Sequence, residues 1–166
     1  MNRIQLLGIL SFVITVLHAY LISRNAISPI PMQFNAQGEV NWTASPGNFF
    51  RFHLIFYSLI NALTLGLSFA IHQISLRWVN VPWKSYWTSS ENLEKESRAR
   101  LGWYLSVAAI MVNGIGILAQ EMLAAKAGVK NLWLPFTLEL NLFMMIALGS
   151  VALFLISLFF KFRPKR

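Results

Sequence analysis

Pro29-Ile30-Pro31-Met32-Gln33-Phe34-Asn35-Ala36-Gln37-Gly38-Glu39-Val40-Asn41-Trp42 lies between two long uncharged runs, and its reading governs what those runs become. The two prolines impose a stiff, extended approach. Residues 32–35 and 39–42 then read as two short extended arms joined through Ala36-Gln37-Gly38. Glycine there suits a left-handed residue followed by a bulge. The segment predicts a small hairpin at a membrane surface, with Phe34 and Trp42 placed to pack or to enter the interface.

Outward from the hairpin, four runs carry no charge when His is neutral: Arg3 to Arg24, Arg51 to Arg77, Arg100 to Glu121, and Glu139 to Lys161. Each holds about twenty residues, which at about 1.5 Å per residue crosses a hydrocarbon core. Together they explain a hydrophobic content of 56% in 166 residues, too high for an ordinary soluble domain. The expected fold is an all-α integral membrane protein, one four-helix domain over residues 1–166, with spans near 5–22, 50–75, 101–125 and 136–160. The first run is expected to be a retained helix. Its apolar stretch is long for a signal sequence, and Tyr20-Leu21-Ile22-Ser23-Arg24 is a poor cleavage site.

The basic residues fall at helix ends. Arg3, Arg77, Lys84, Lys95, Arg98, Arg100, Lys161, Arg163, Lys165 and Arg166 share one side, leaving Arg24, Arg51, Lys126 and Lys130 on the other. The positive-inside rule then predicts cytoplasmic termini and an outer hairpin. The net charge of +8 is thereby a topology signal, and no nucleic-acid partner is expected. With no cysteine, disulfides, thiolate chemistry and cysteine metal sites are excluded.

Ser58, Ala62, Gly66 and Ala70 recur every four residues in the second run and predict a face where another helix packs closely. Trp78, Trp83, Tyr86 and Trp87 beside basic residues belong at a headgroup interface. Thr88-Ser89-Ser90-Glu91 reads as a capping box. Glu91 and Lys95, Glu94 and Arg98, and Glu96 and Arg100 stand four apart with the acid first, each pair adding about 0.2–0.5 kcal/mol to a helix. One long helix over residues 89–125 is expected, in which Gly102, Gly114 and Gly116 allow close packing. A short connection over residues 126–135, with Trp133 at the interface, precedes the last span.

Pro29-Ile30-Pro31, Phe34-Asn35, Gly38 and Trp42 resemble the Pro-x-Pro-x-His-Phe-Asn-x-x-Gly signature of an uncharacterised N-terminal domain in SdpI-type bacterial membrane proteins. Val81-Pro82-Trp83-Lys84-Ser85-Tyr86-Trp87, followed by Glu91, resembles that family's second signature, an Asn-Leu-Pro-x-Lys-x-Tyr-Trp run ending near Pro-Glu-Arg. The two motifs cover about the first hundred residues. Gln33 stands where the family has histidine, and Ser90 and Asn92 replace the proline and arginine flanking Glu91. The resemblance implies a bacterial inner-membrane protein of immunity or signalling type. It implies no catalytic activity.

Candidate sites follow from the same residues. Pro29, Pro31, Phe34, Asn35, Gly38 and Trp42 are candidates for partner binding. His18, His53, Glu121 and Glu139 fall toward the outer half of the bundle, where ionisable groups are costly and either paired or functional. They can form a small-ligand or cation site, or the charges can simply pair at helix ends. No helix carries two of them at metal-ligand spacing, so no metal is expected. Asn61, Asn113 and Gln120 suit hydrogen bonds between helices. No nucleophile elbow, phosphate loop, metalloprotease helix or carboxylate dyad occurs, so no enzyme and no cofactor are expected. The expected work is binding of a protein, a peptide or a lipid through the outer loop, with membrane lipids and a protein partner or second copy as partners. The alternative is an accessory subunit of a larger membrane complex, and a transporter ranks third.

Overall fold

The computed structural model describes residues 2–35, 37–129 and 140–164. Helix α1 (Arg3–Asn25) starts at a capping box: the Asn2 side chain accepts from the Gln5 N–H at 2.9 Å, and the Asn2 N–H donates to Gln5 Oε1 at 2.9 Å. Strands β1 (Ile30–Phe34) and β2 (Val40–Ala44) follow as an antiparallel pair. Helix α2 (Pro46–Ala70) begins four residues earlier than its apolar run implies. Ser45 caps it, and Pro46 occupies a first-turn position where its missing N–H costs nothing. It also stops before Ser75, giving way to turns and a 3-10 segment, Leu76–Trp78.

A four-residue helix α3 (Lys84–Trp87) leads into α4 (Glu91–Lys126). The cap of α4 is Ser90, which accepts from the Leu93 N–H, and not Thr88. The single long third helix is as the sequence predicts. At 36 residues it runs about 54 Å, well beyond a hydrocarbon core of about 30 Å. Its first turns carry the three acid-first pairs, Glu91–Lys95, Glu94–Arg98 and Glu96–Arg100, all formed. Helix α5 (Leu140–Phe162) completes the described chain, and residues 136–139 of the expected span lie outside it. Helices α1, α2, α4 and α5 are each long and apolar enough to cross a membrane.

Helices α1, α2 and α4 pack mutually, β1 lies against α4, and α5 touches the bundle mainly through α4. The buried line on α2 is Phe49, His53, Tyr57, Asn61, Leu65 and Ser68. This corrects the expectation for Ser58, Ala62, Gly66 and Ala70. Ala62 and Gly66 are exposed, and nothing described lies within 4 Å of where a Gly66 β-carbon would stand. The stripe lies on the face turned away from α1 and α4, because the polar groups of α2 take the inward face. The close approaches occur instead at Gly8 against Leu65, Gly102 against Ser68 and Gly116 against Tyr57, whereas Gly114 has an open face.

Candidate functional site

A polar seam runs the length of the three-helix bundle. Near the basic end, Gln5 Nε2 donates to Ser68 Oγ at 3.2 Å, and Ser68 Oγ meets Ser106 Oγ at 2.8 Å and donates to the Gly102 carbonyl at 2.8 Å. At mid-depth Asn61 and Asn113 exchange amide bonds in both directions, at 2.9 and 3.0 Å. Asn113 also donates to Ser11 Oγ at 2.9 Å, and Asn61 to the Tyr57 carbonyl at 2.8 Å. Thr15 Oγ1 donates to the Ser11 carbonyl at 2.8 Å and lies 3.3 Å from the Asn113 carbonyl. The Asn61–Tyr57 and Thr15–Ser11 bonds stay within one helix, whereas Gln5–Ser68, Ser68–Ser106, Ser68–Gly102, Asn61–Asn113, Asn113–Ser11 and Thr15–Asn113 join different helices. Such bonds average about 0.6 kcal/mol, and their number matters more than any one of them.

At the hairpin end the seam finishes in charge. His18 on α1 is fully enclosed; its Nδ1 faces Gln120 Oε1 at 2.8 Å and its Nε2 faces Glu121 Oε1 at 2.8 Å. In this orientation of the Gln120 amide both ring nitrogens meet oxygens. The imidazole thus bridges an amide and a carboxylate, and mutual pairing is what makes the burial of these polar groups tolerable. The Gln120 Nε2 has no hydrogen-bond partner among the described residues.

The sequence places His18, His53, Glu121 and Glu139 together, and the structure joins two of them. His18 and Glu121 pair directly. His53 is buried, but its Nδ1 donates to the Phe49 carbonyl of its own helix at 2.8 Å, and its ring packs on Phe49 at a centroid distance of 4.1 Å. Glu139 lies outside the described residues. Among those described, no three His, Asp or Glu side chains converge as a metal site. Gln5, Ser11, Thr15, Ser68 and Ser106 were not singled out by sequence, yet they follow a legible rule: on α1, α2 and α4 the buried polar residues recur at helical spacing on one face.

The hairpin closes that end. Ile30 joins Ala19, Ile22, Phe49, Met122, Leu123, Ala124 and Val129 in one apolar cluster, with Met32, Phe34 and Phe143 packed onto it. The turn is held by Asn35. Its Oδ1 accepts from the Gln37 and Glu39 N–H groups at 3.0 and 2.8 Å, and its Nδ2 donates to Glu39 Oε2 at 2.9 Å. Gly38 takes φ +80°, the left-handed conformation its position predicts, and the register slips on both sides of Gln33. The candidate contact residues divide accordingly. Pro31 is buried and Phe34 partly so, which makes them attachments to the bundle. Pro29, Gly38 and Trp42 are exposed, Trp42 by 49%. On β2 only Ala44 is buried.

Against known proteins, the chain matches no family model, no curated protein and no solved structure.

Proposed function

We propose that this chain is a non-enzymatic, multi-pass protein of a bacterial inner membrane that binds a peptide or protein through an extracytoplasmic hairpin, in the manner of an SdpI-type immunity or signalling protein. One observation carries the reading. β1 is fastened to the bundle through Ile30, Met32 and Phe34, while residues 40–43 of β2 face outward with Val40 and Trp42 uncovered. A shape held by Asn35 and Gly38 meets a partner with little left to order. Among the described residues the far edge of β2 has no neighbouring strand, an edge an extended peptide can join. Trp42 is the proposed anchor, since an aromatic residue supplies large contact area with few rotors. The buried His18–Glu121 couple is sealed beneath apolar side chains, so the work assigned to it is fastening α1 to α4 under the hairpin.

Orientation in this proposal follows the distribution of Lys and Arg. A reporter active only outside the cytoplasm is expected to work at Asn41 and fail at Arg166. A photo-crosslinking residue at position 42 is expected to give one peptide or protein adduct in cells, and Val40→Ser is expected to weaken it. Adducts to lipid alone at position 42, or the reverse reporter pattern, overturn the proposal.

A second reading, an accessory subunit of a larger membrane complex, is favoured by α5. Its Leu148, Leu153, Ile156 and Phe160 are exposed around the helix, a surface that another subunit can cover as well as lipid can.

A further inference from the structure

At the end of the bundle away from the hairpin, α4 and α5 part to leave a cleft of about 590 Å³ lined by Glu96, Ala99, Arg100, Trp103, Tyr104, Ser157 and Lys161. We propose that this cleft is a binding site for the phosphate headgroup of an anionic membrane phospholipid.

The walls are built and held. Tyr104 Oη bonds Ser157, at 3.0 Å to its carbonyl and 2.9 Å to Oγ. Trp87 Nε1 donates to the Phe162 carbonyl at 2.8 Å, and Arg100 donates to the Lys161 carbonyl. Arg100 and Trp87 thus satisfy carbonyls of the last turn of α5, which have no partner in their own helix, and Tyr104 ties Ser157 to the same wall. The Arg100 guanidinium also pairs with Glu96 and lies 4.7 Å from the Trp87 ring centroid. Arg100 therefore frames the cleft.

The charge left over is on Lys161. Glu96 is engaged by Arg100, and among the described residues the Lys161 ammonium has no carboxylate partner. The cleft keeps one net positive charge, on a flexible exposed stem able to follow a phosphate. Trp103, 45% exposed, adds an amphipathic ring suited to headgroup depth.

The surroundings select a lipid as the source of the phosphate. Leu153 and Phe160 stand four residues before and three after Ser157, on the same face of α5, and both are exposed. A headgroup on Lys161 thus has an apolar helix surface along which its acyl chains can lie. Basic clefts between spanning helices at a membrane surface are suited to anionic headgroups for this reason.

The test uses the full chain in nanodiscs of phosphatidylcholine, alone or with phosphatidylglycerol, read by thermal stability and by native mass spectrometry of retained lipid. Phosphatidylglycerol is expected to raise the Tm and to be retained preferentially. Lys161→Gln is expected to lower its retention about fivefold, the effect of one cation near a membrane surface, with an unchanged Tm in phosphatidylcholine showing that it folds. Lys161→Arg restores retention, and Lys126→Gln at the opposite end leaves it intact. Equal retention by Lys161→Gln and wild type overturns the proposal, as does an equal loss in Lys126→Gln. A Tm rise of the same size with inorganic phosphate overturns the lipid as occupant.

Discussion

The bundle of α1, α2 and α4 and the lone helix α5 are both made of residues that belong in a membrane, yet they are organised oppositely. In the bundle the polar residues are inside: Gln5, Thr15, His18, Asn61, Ser68, Ser106, Asn113, Gln120 and Glu121 are buried, while leucines such as Leu7, Leu10, Leu59 and Leu63 face out. Helix α5 has almost nothing polar to hide, and its Leu142, Leu148, Leu153 and Leu155 are exposed. Lipid is as apolar as leucine, so burying leucine against another helix gains little in a bilayer. Burying an amide or a hydroxyl against a matching partner avoids an unsatisfied group in hydrocarbon. The three helices that own such groups find one another. Among the described residues the fourth is attached near the basic end, where Tyr104, Arg100 and Trp87 reach its carbonyls and Phe154, Leu158 and Phe162 pack on Trp87 and Tyr104, and where Phe143 meets the hairpin cluster.

The contrast breaks most sharply at His18. Removing one member of a buried hydrogen-bonded charge pair leaves the other uncompensated, at about 3–5 kcal/mol. His18→Leu is expected to destabilise the chain by that order in reversible unfolding from mixed micelles. His18→Leu with Glu121→Leu is expected to recover most of the loss, because no orphaned charge remains. If the single variant is as stable as the wild type, the seam is not what holds the bundle.

A smaller effect separates the two faces of α2 and α4. A side chain at Gly116 must displace the Tyr57 ring, and one at Gly66 meets nothing described. Gly116→Leu is expected to lower stability by about 1–3 kcal/mol through overpacking. Gly66→Leu, on the outward face, is expected to stay within about 0.5 kcal/mol. Thermal denaturation of the two purified variants is the measurement. Equal losses would mean that the Gly66 face is packed against a second copy or another subunit.

That pair of glycines also marks where the sequence was legible and where it was not. The four spans could be read because long uncharged runs have few other uses, and the hairpin because Pro29, Pro31 and Gly38 constrain the backbone locally. The face that α2 buries could not be read from Ser58, Ala62, Gly66 and Ala70. Small residues permit close approach, but they do not say that a helix comes. The better guide was on the same helix: Asn61 and Ser68 have side-chain hydrogen bonds to make and share one side. His18 and Glu121 were readable as a group but not as a pair. Nothing in their spacing tells that Gln120, one residue before the carboxylate, takes the other ring nitrogen, or that His53 turns back to its own helix.

The smallest expected effect belongs to α5, and it bears on what surrounds the protein. Leu148 and Leu153 are 63% and 70% exposed. If lipid covers them, Leu148→Ala with Leu153→Ala exchanges one apolar surface for another, leaves no cavity, and is expected to change the Tm in nanodiscs by less than the scatter between preparations. Migration on native gels is expected to match the wild type. A subunit interface behaves differently, because two leucines withdrawn from a packed helix contact leave voids of the kind that cost about 2–5 kcal/mol each in a close-packed interior. The same double variant would then shed its neighbours during extraction from the native membrane while the α1–α2–α4 bundle stayed folded. An unaffected complex and an unmoved Tm leave α5 as a lipid-facing helix.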